Sequence, residues 1–144
     1  MIRRVLFPSD FSKASRAAFA KAVETAKLNR AQLTILHVIS PVIPMAGDGY
    51  ISPSTYEQLL ESNRRWAKKQ LDALVRRAKS TRARVKGVLL EGVPYAVILR
   101  AARRDDIIVM GTHGRTGIAR FFLGSVAGRV AAGATCPVLT VRGK

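Results

Sequence analysis

Cysteine is almost missing from this chain, and so is histidine. The single Cys136 excludes an intrachain disulfide and any multi-cysteine metal site. It precedes Pro137 at the start of an apolar run, where a small buried hydrophobe is expected rather than a reactive thiol. The two histidines, His37 and His113, lie far apart and show no metal-ligand spacing. Long apolar runs are missing as well: none approaches the ~20 residues that cross a bilayer. At the N-terminus Arg3-Arg4 precede an apolar stretch, but Val5-Leu6-Phe7 stops at Pro8-Ser9-Asp10, short of the ~7–15 residues of a signal segment. The expectation is a cytoplasmic protein with no membrane attachment. Acids are the third shortage, at 9 against 25 Lys and Arg, for a formal charge of +16. Such a balance favours anionic partners. Much of the charge sits in the pairs Arg64-Arg65, Lys68-Lys69, Arg76-Arg77 and Arg103-Arg104. These read as solvated helix faces. A nucleic-acid or acidic-lipid surface is the sharper alternative, but Trp66 alone stands among these pairs, short of the run of interleaved aromatics that single-strand binding requires.

What is present fits one domain spanning residues 1–144, with 48% hydrophobic residues to build its core. Arg3–Pro8 reads as a short strand ending in a turn. Phe11–Leu28 places Ala14, Ala18, Ala22 and Ala26 at helical spacing, with Ser12 as its cap. Gln32–Val38 is nearly continuous in apolar residues, as strands covered on both faces are. Ser40–Ser54, rich in proline and glycine, reads as a long loop. Thr55–Ser80 is the longest helix, with Tyr56, Leu59, Leu60, Asn63, Ala67, Leu71, Leu74 and Ala78 on one stripe. Strand Arg84–Leu90, helix Pro94–Ala102, strand Asp106–Met110, helix Ser125–Ala132 and strand Pro137–Val141 complete the chain. Strict alternation of strand and helix predicts an α/β fold: an open parallel sheet with helices on both faces.

The chemistry gathers after the fourth strand. Gly111 and Gly114 have two residues between them, Gly114 and Gly124 have nine, and Gly124 is followed directly by Ser125. Phosphates are held well by backbone N–H groups, and glycine lets the backbone approach closely. Ser125 is placed to cap the last helix, whose N-terminus offers free N–H groups and a positive dipole end. Arg115 can add charge-assisted hydrogen bonds. No G-x-G-x-x-G occurs and no Gly-Lys-Ser/Thr ends the loop, which argues against dinucleotide and Walker sites. The opposite wall of the crevice comes from Pro8-Ser9-Asp10-Phe11-Ser12, since ligands of open α/β sheets sit where neighbouring connections leave to opposite faces. Asp10 could accept from ribose hydroxyls or the adenine side, or could simply cap the first helix.

The spacing Gly-x2-Gly-x9-Gly-Ser resembles the nucleotide motif of the universal stress protein family. Val5-Leu6-Phe7-Pro8-Ser9-Asp10, His37-Val38, Gly92-Val93-Pro94 and Cys136-Pro137-Val138-Leu139-Thr140-Val141 agree with it, so the resemblance covers essentially the whole chain. It implies a Rossmann-like, adenine-nucleotide alpha-hydrolase-like fold: five parallel strands ordered 3-2-1-4-5 with four helices. It implies ATP as ligand, with any Mg²⁺ held by the phosphates. By position, Asp10 would line the adenine-ribose side, Val38 would meet adenine through its backbone, and Gly111, Gly114, Gly124 and Ser125 would take ribose and phosphates beside Met110 and Val126. It also implies a homodimer through Pro137, Val138, Leu139, Thr140 and Val141, whose edge would otherwise expose unpaired backbone groups. Two positions depart from the pattern. Val93 stands where the family often has a polar cap, and Ala127 where some ATP-binding members have a hydroxyl.

Three functions remain in play. The first is an ATP-binding regulatory or stress-response module with little or no turnover. The second is a slow ATP hydrolase using His113 as general base, although no second acid or base in the loop accompanies it. The third is a basic nucleic-acid-associated stress protein without nucleotide, for which the sequence offers charge but no recognition motif.

Overall fold

A computed structural model describes residues 1–41, 51–112 and 123–143. Its elements run β1 (Arg4–Pro8), α1 (Lys13–Leu28), β2 (Gln32–Ile39), α2 (Pro53–Ser80), β3 (Val85–Glu91), α3 (Pro94–Ala101), β4 (Asp106–Gly111), α4 (Ser125–Gly133) and β5 (Val138–Val141). The five strands form one parallel sheet in the order β3-β2-β1-β4-β5, as expected.

Side chains alternate across the strands and so build two cores. Val5, Phe7, Leu33, Ile35 and Val109 face α1 and α2. Leu6, Leu36, Ile108 and Met110 face α3 and α4, together with the buried Cys136. The alanines of α1 serve close approach: Ala18, Ala22 and Ala26 are buried against the sheet. On the α2 side a glycine in the strand adds to the buried Ala67 and Ala78 of the helix. A Cβ at Gly87 of β3 would stand 2.8 Å from Cγ2 of Val75 and 3.4 Å from Cγ of Leu71.

Boundaries moved where local chemistry is specific. The first helix starts at Lys13 rather than Phe11, because Phe11 has φ 64° and lies outside the right-handed helical region. Ser12 is the cap, its hydroxyl accepting from the Ser15 amide. The second helix starts earlier than Thr55, at Pro53, with Ser52 as cap and proline in the first turn. Of the loop read as Ser40–Ser54, Pro53 and Ser54 are therefore helical, and residues 42–50 lie outside those described. Leu59 is exposed rather than part of the buried stripe, and Val75 packs on the core instead.

The N-terminal ends of β1 and β4 are tied together by charge. Arg4 pairs in register with Asp106, and its guanidinium grips that carboxylate with two hydrogen bonds, one from Nε at 3.0 Å. Asp106 is 2% exposed and also accepts from the Arg103 amide. The bond to Asp106 pushes the Arg4 guanidinium pKa further up.

Candidate functional site

Strands β1 and β4 are neighbours, but β1 leaves through α1 to one face and β4 leaves toward α4 on the other. A crevice opens at their C-terminal ends, as the geometry of open sheets requires. Its volume is about 430 Å³, inside the range of roughly 300–1,000 Å³ usual for small-molecule sites.

The wall after β1 is a rigid local structure. The Asp10 carboxylate accepts from the Ser12 amide at 2.9 Å, and the Ser9 hydroxyl accepts from the Phe11 amide at 3.1 Å. These bonds hold Phe11 in its left-handed conformation, a strain that costs on the order of 1 kcal/mol or more and tends to gather at functional sites. The Phe11 ring stacks on His37 with centroids 4.2 Å apart and meets Trp66 edge-on at 5.6 Å. Nδ1 of His37 lies 2.7 Å from the Ser9 carbonyl oxygen. A carbonyl only accepts, so Nδ1 carries the proton and donates. Asp10 is therefore not the cap of α1, a role Ser12 takes; its carboxylate holds the turn just before the cap and still borders the crevice.

The wall after β4 is made of backbone. The Thr112 amide donates to Val141 at 3.0 Å, and the Gly124 amide donates to the Thr112 carbonyl at 2.6 Å. Gly124, not Ser125, is the N-cap of α4, and Ser125 is the first helical residue. Glycine has no capping side chain, and among the described residues no other group takes the first-turn amides of α4, which keep their hydrogen-bonding capacity at the crevice. The reason is positional: a capping hydroxyl must sit one residue before the helix, and Ser125 lies inside it.

Of the residues singled out from the sequence, Pro8, Ser9, Asp10, Val38, Met110, Gly111, Gly124, Ser125 and Val126 all border this one crevice. His113, Gly114 and Arg115 lie outside the described residues. The sequence reading missed Ser40 and Thr112, and also Asn63 and Trp66 of α2, which close the side of the crevice. Trp66 is 44% exposed. A large aromatic on a helix flank beside the buried stripe was the available signal. Ala127, noted as lacking a hydroxyl, is 3% exposed and also lines the crevice.

Among the described residues no group of three or more His, Cys, Asp or Glu side chains is placed to hold a metal, and no helix is long and apolar enough to cross a membrane.

The sequence profile of the universal stress protein family matches residues 1–142. A universal stress protein of Methanocaldococcus jannaschii is 32% identical over 146 residues, covering 99% of this chain and 83% of the relative. The solved universal stress protein UspA of Lactobacillus plantarum matches with a TM-score of 0.81 at 28% identity, over 97% of each chain. A more distant structure, a universal stress protein family protein of Arabidopsis thaliana with AMP bound, shares the fold with a TM-score of 0.66 at 20% identity, covering 99% of this chain and 92% of that one. Fold, strand order and sequence agree over nearly the whole length, and the chain belongs to the universal stress protein family.

Proposed function

We propose that the crevice binds ATP and that the protein is a cytoplasmic regulatory module of the stress response with little or no turnover. The observation that carries this reading is the uncapped N-terminus of α4 meeting Gly111, Thr112 and Gly124 across from Asp10 and Val38. Phosphates would take the α4 amides and the Ser125 hydroxyl, where the helix dipole favours negative charge. Gly114 and Arg115 would add to that cradle. Ribose and adenine would lie toward Asp10 and Val38, and Mg²⁺ would arrive with the phosphates. AMP in the Arabidopsis relative supports an adenine nucleotide here. Low turnover fits the lining. Its titratable side chains among the described residues are Asp10 and His37, and both are committed to structural bonds at Ser12 and Ser9. We assign a homodimer to the β5 edge, because β5 pairs only with β4 among the described strands.

The test begins by denaturing the purified protein and analysing released small molecules by chromatography and mass spectrometry. ATP near one equivalent per chain supports the reading. An empty protein that also fails to bind ATP in calorimetry sinks it. Ser125→Asp separates site from fold. A fixed carboxylate in the first turn suits the helix dipole by about 0.3–1 kcal/mol, so the melting temperature should hold or rise. The same charge repels phosphate, so ATP affinity should fall by at least about tenfold, a loss of roughly 1.4 kcal/mol.

A further inference from the structure

We infer that the outward ridge of α2 is a second anion-binding surface, one that fits the phosphate backbone of double-stranded DNA. Arg65, Lys69, Arg76 and Lys79 stand at i, i+4, i+11 and i+14, which brings them onto one side of the helix. That side lies opposite Ala67, Leu71 and Ala78, the residues α2 buries. All four are exposed, and among the described residues no carboxylate pairs with any of them. Of the acids on that side, Asp72 is already taken by Lys68 at 2.9 Å, and Glu61, one turn before Arg65, faces Arg64 at 3.9 Å. Of the other bases of α2, Arg64 is neutralised by Glu91 and Arg77 lies over the Phe19 ring.

The result is a row of four unshared charges on a rigid rod. From Arg65 to Lys79 the rod rises about 21 Å at ~1.5 Å per residue. That spans about six base-pair steps of duplex axis at ~3.4 Å each. The ridge itself carries no large apolar side chain; Leu71, Leu74 and Val75 pack on the sheet, and the exposed Leu59 and Trp66 lie off the line of the four charges, Trp66 at the crevice. A membrane-surface helix needs an apolar face free to enter the lipid boundary. The surface therefore fits a phosphate polyanion read by charge alone, without base contacts or sequence preference. It lies apart from the crevice and does not depend on the nucleotide reading.

The test is a titration of the full chain with a labelled DNA duplex of random sequence at several salt concentrations. Two variants are compared with equal loss of net charge. One carries Arg65→Gln, Lys69→Gln, Arg76→Gln and Lys79→Gln. The other carries Lys86→Gln, Arg100→Gln, Arg103→Gln and Arg104→Gln, away from the ridge. Each neutralised phosphate contributes about 0.9 to the slope of log affinity against log salt. The ridge variant should lose about 3 to 4 units of slope, and the control less than one. Between about 50 and 200 mM salt, the wild type should lose roughly 100-fold more affinity than the ridge variant. The half-set Lys69→Gln, Arg76→Gln should lose about half that slope, and it serves if the fourfold variant folds poorly. Equal losses in ridge and control variants would reduce the effect to net charge and overturn the assignment. So would ridge-dependent binding to anionic phospholipid vesicles with none to duplex, or no duplex binding at about 50 mM salt.

Discussion

The amide of Gly124 donates to the carbonyl of Thr112 at 2.6 Å, closing the two ends of the segment that carries the middle of the glycine motif. Gly111 and Gly124, far apart in sequence, are thereby brought to one rim of the crevice. Gly124 has φ −57°, which proline also adopts. Gly124→Pro therefore keeps that φ but removes the donor, and its ring pushes the Thr112 carbonyl away from the Gly124 nitrogen. The substitution should lower stability by about 1–3 kcal/mol through the unpaired carbonyl. ATP binding, read by calorimetry or by the fluorescence of Trp66, should weaken at least about tenfold, roughly 1.4 kcal/mol. Gly124→Ala keeps the N–H and should be much milder. If proline and alanine behave alike, the bond does not organise the site.

The Arg4–Asp106 pair ties β1 to β4 at the end of the sheet away from the crevice. Asp106→Ala strands a guanidinium that is only 16% exposed and also frees the Arg103 amide. Breaking a buried pair from one side costs about 3–5 kcal/mol, whereas replacing both partners by apolar groups costs far less. Urea unfolding of Asp106→Ala, Arg4→Met and the double variant Arg4→Met, Asp106→Leu should show this strong non-additivity. ATP affinity of the folded double variant should match the wild type. Simple additivity of the losses would mean that the two groups do not act as a unit.

Helix α3 begins without a side-chain cap, at Val93, whose backbone is already extended with φ −76° and ψ 119°. Val93 is 51% exposed, so little apolar burial is lost by changing it. Val93→Ser supplies an acceptor for the first-turn amides. The expected gain is about 0.5–1 kcal/mol, seen as a rise in melting temperature of roughly 2–4 °C. An unchanged or lowered melting temperature would show that those amides are satisfied some other way.

Burial pushes the Cys136 thiol pKa up, and the negative charge of Asp106 adds to the effect. Because the folded value lies above the unfolded one, stability is complete below about pH 8.5, the ordinary thiol range. Above that range the unfolded chain ionises first, and stability falls as pH rises toward the folded value. Cys136→Ala should flatten this alkaline decline while lowering stability at neutral pH by leaving a small cavity. In the native protein a thiol reagent should react slowly at pH ~8 and completely only on unfolding. Rapid native labelling would contradict the burial.

A structure with strands and helices in strict alternation was legible in the chain because its signals are local. Apolar runs such as Leu33–Val38 need only their own composition to favour a strand. The alanines of α1 and its cap Ser12 act within one turn of helix. The spacing of Gly111, Gly124 and Ser125 marked the site in the same way, since phosphate binding by backbone depends on glycine and a helix start. Tertiary structure decided what depends on contacts between distant residues. It made Gly124 the cap of α4, because the helix begins one residue earlier than a capping Ser125 would need. It brought Asn63 and Trp66 to the crevice, because α2 packs over β2 and β3 and carries its flank to their C-terminal ends. It joined Arg4 to Asp106 through the register of β1 against β4. It also sorted the bases of α2 into the paired Arg64 and Lys68, Arg77 over Phe19, and a ridge with no carboxylate partner among the described residues, which depends on where Glu91 and Asp72 fall in space.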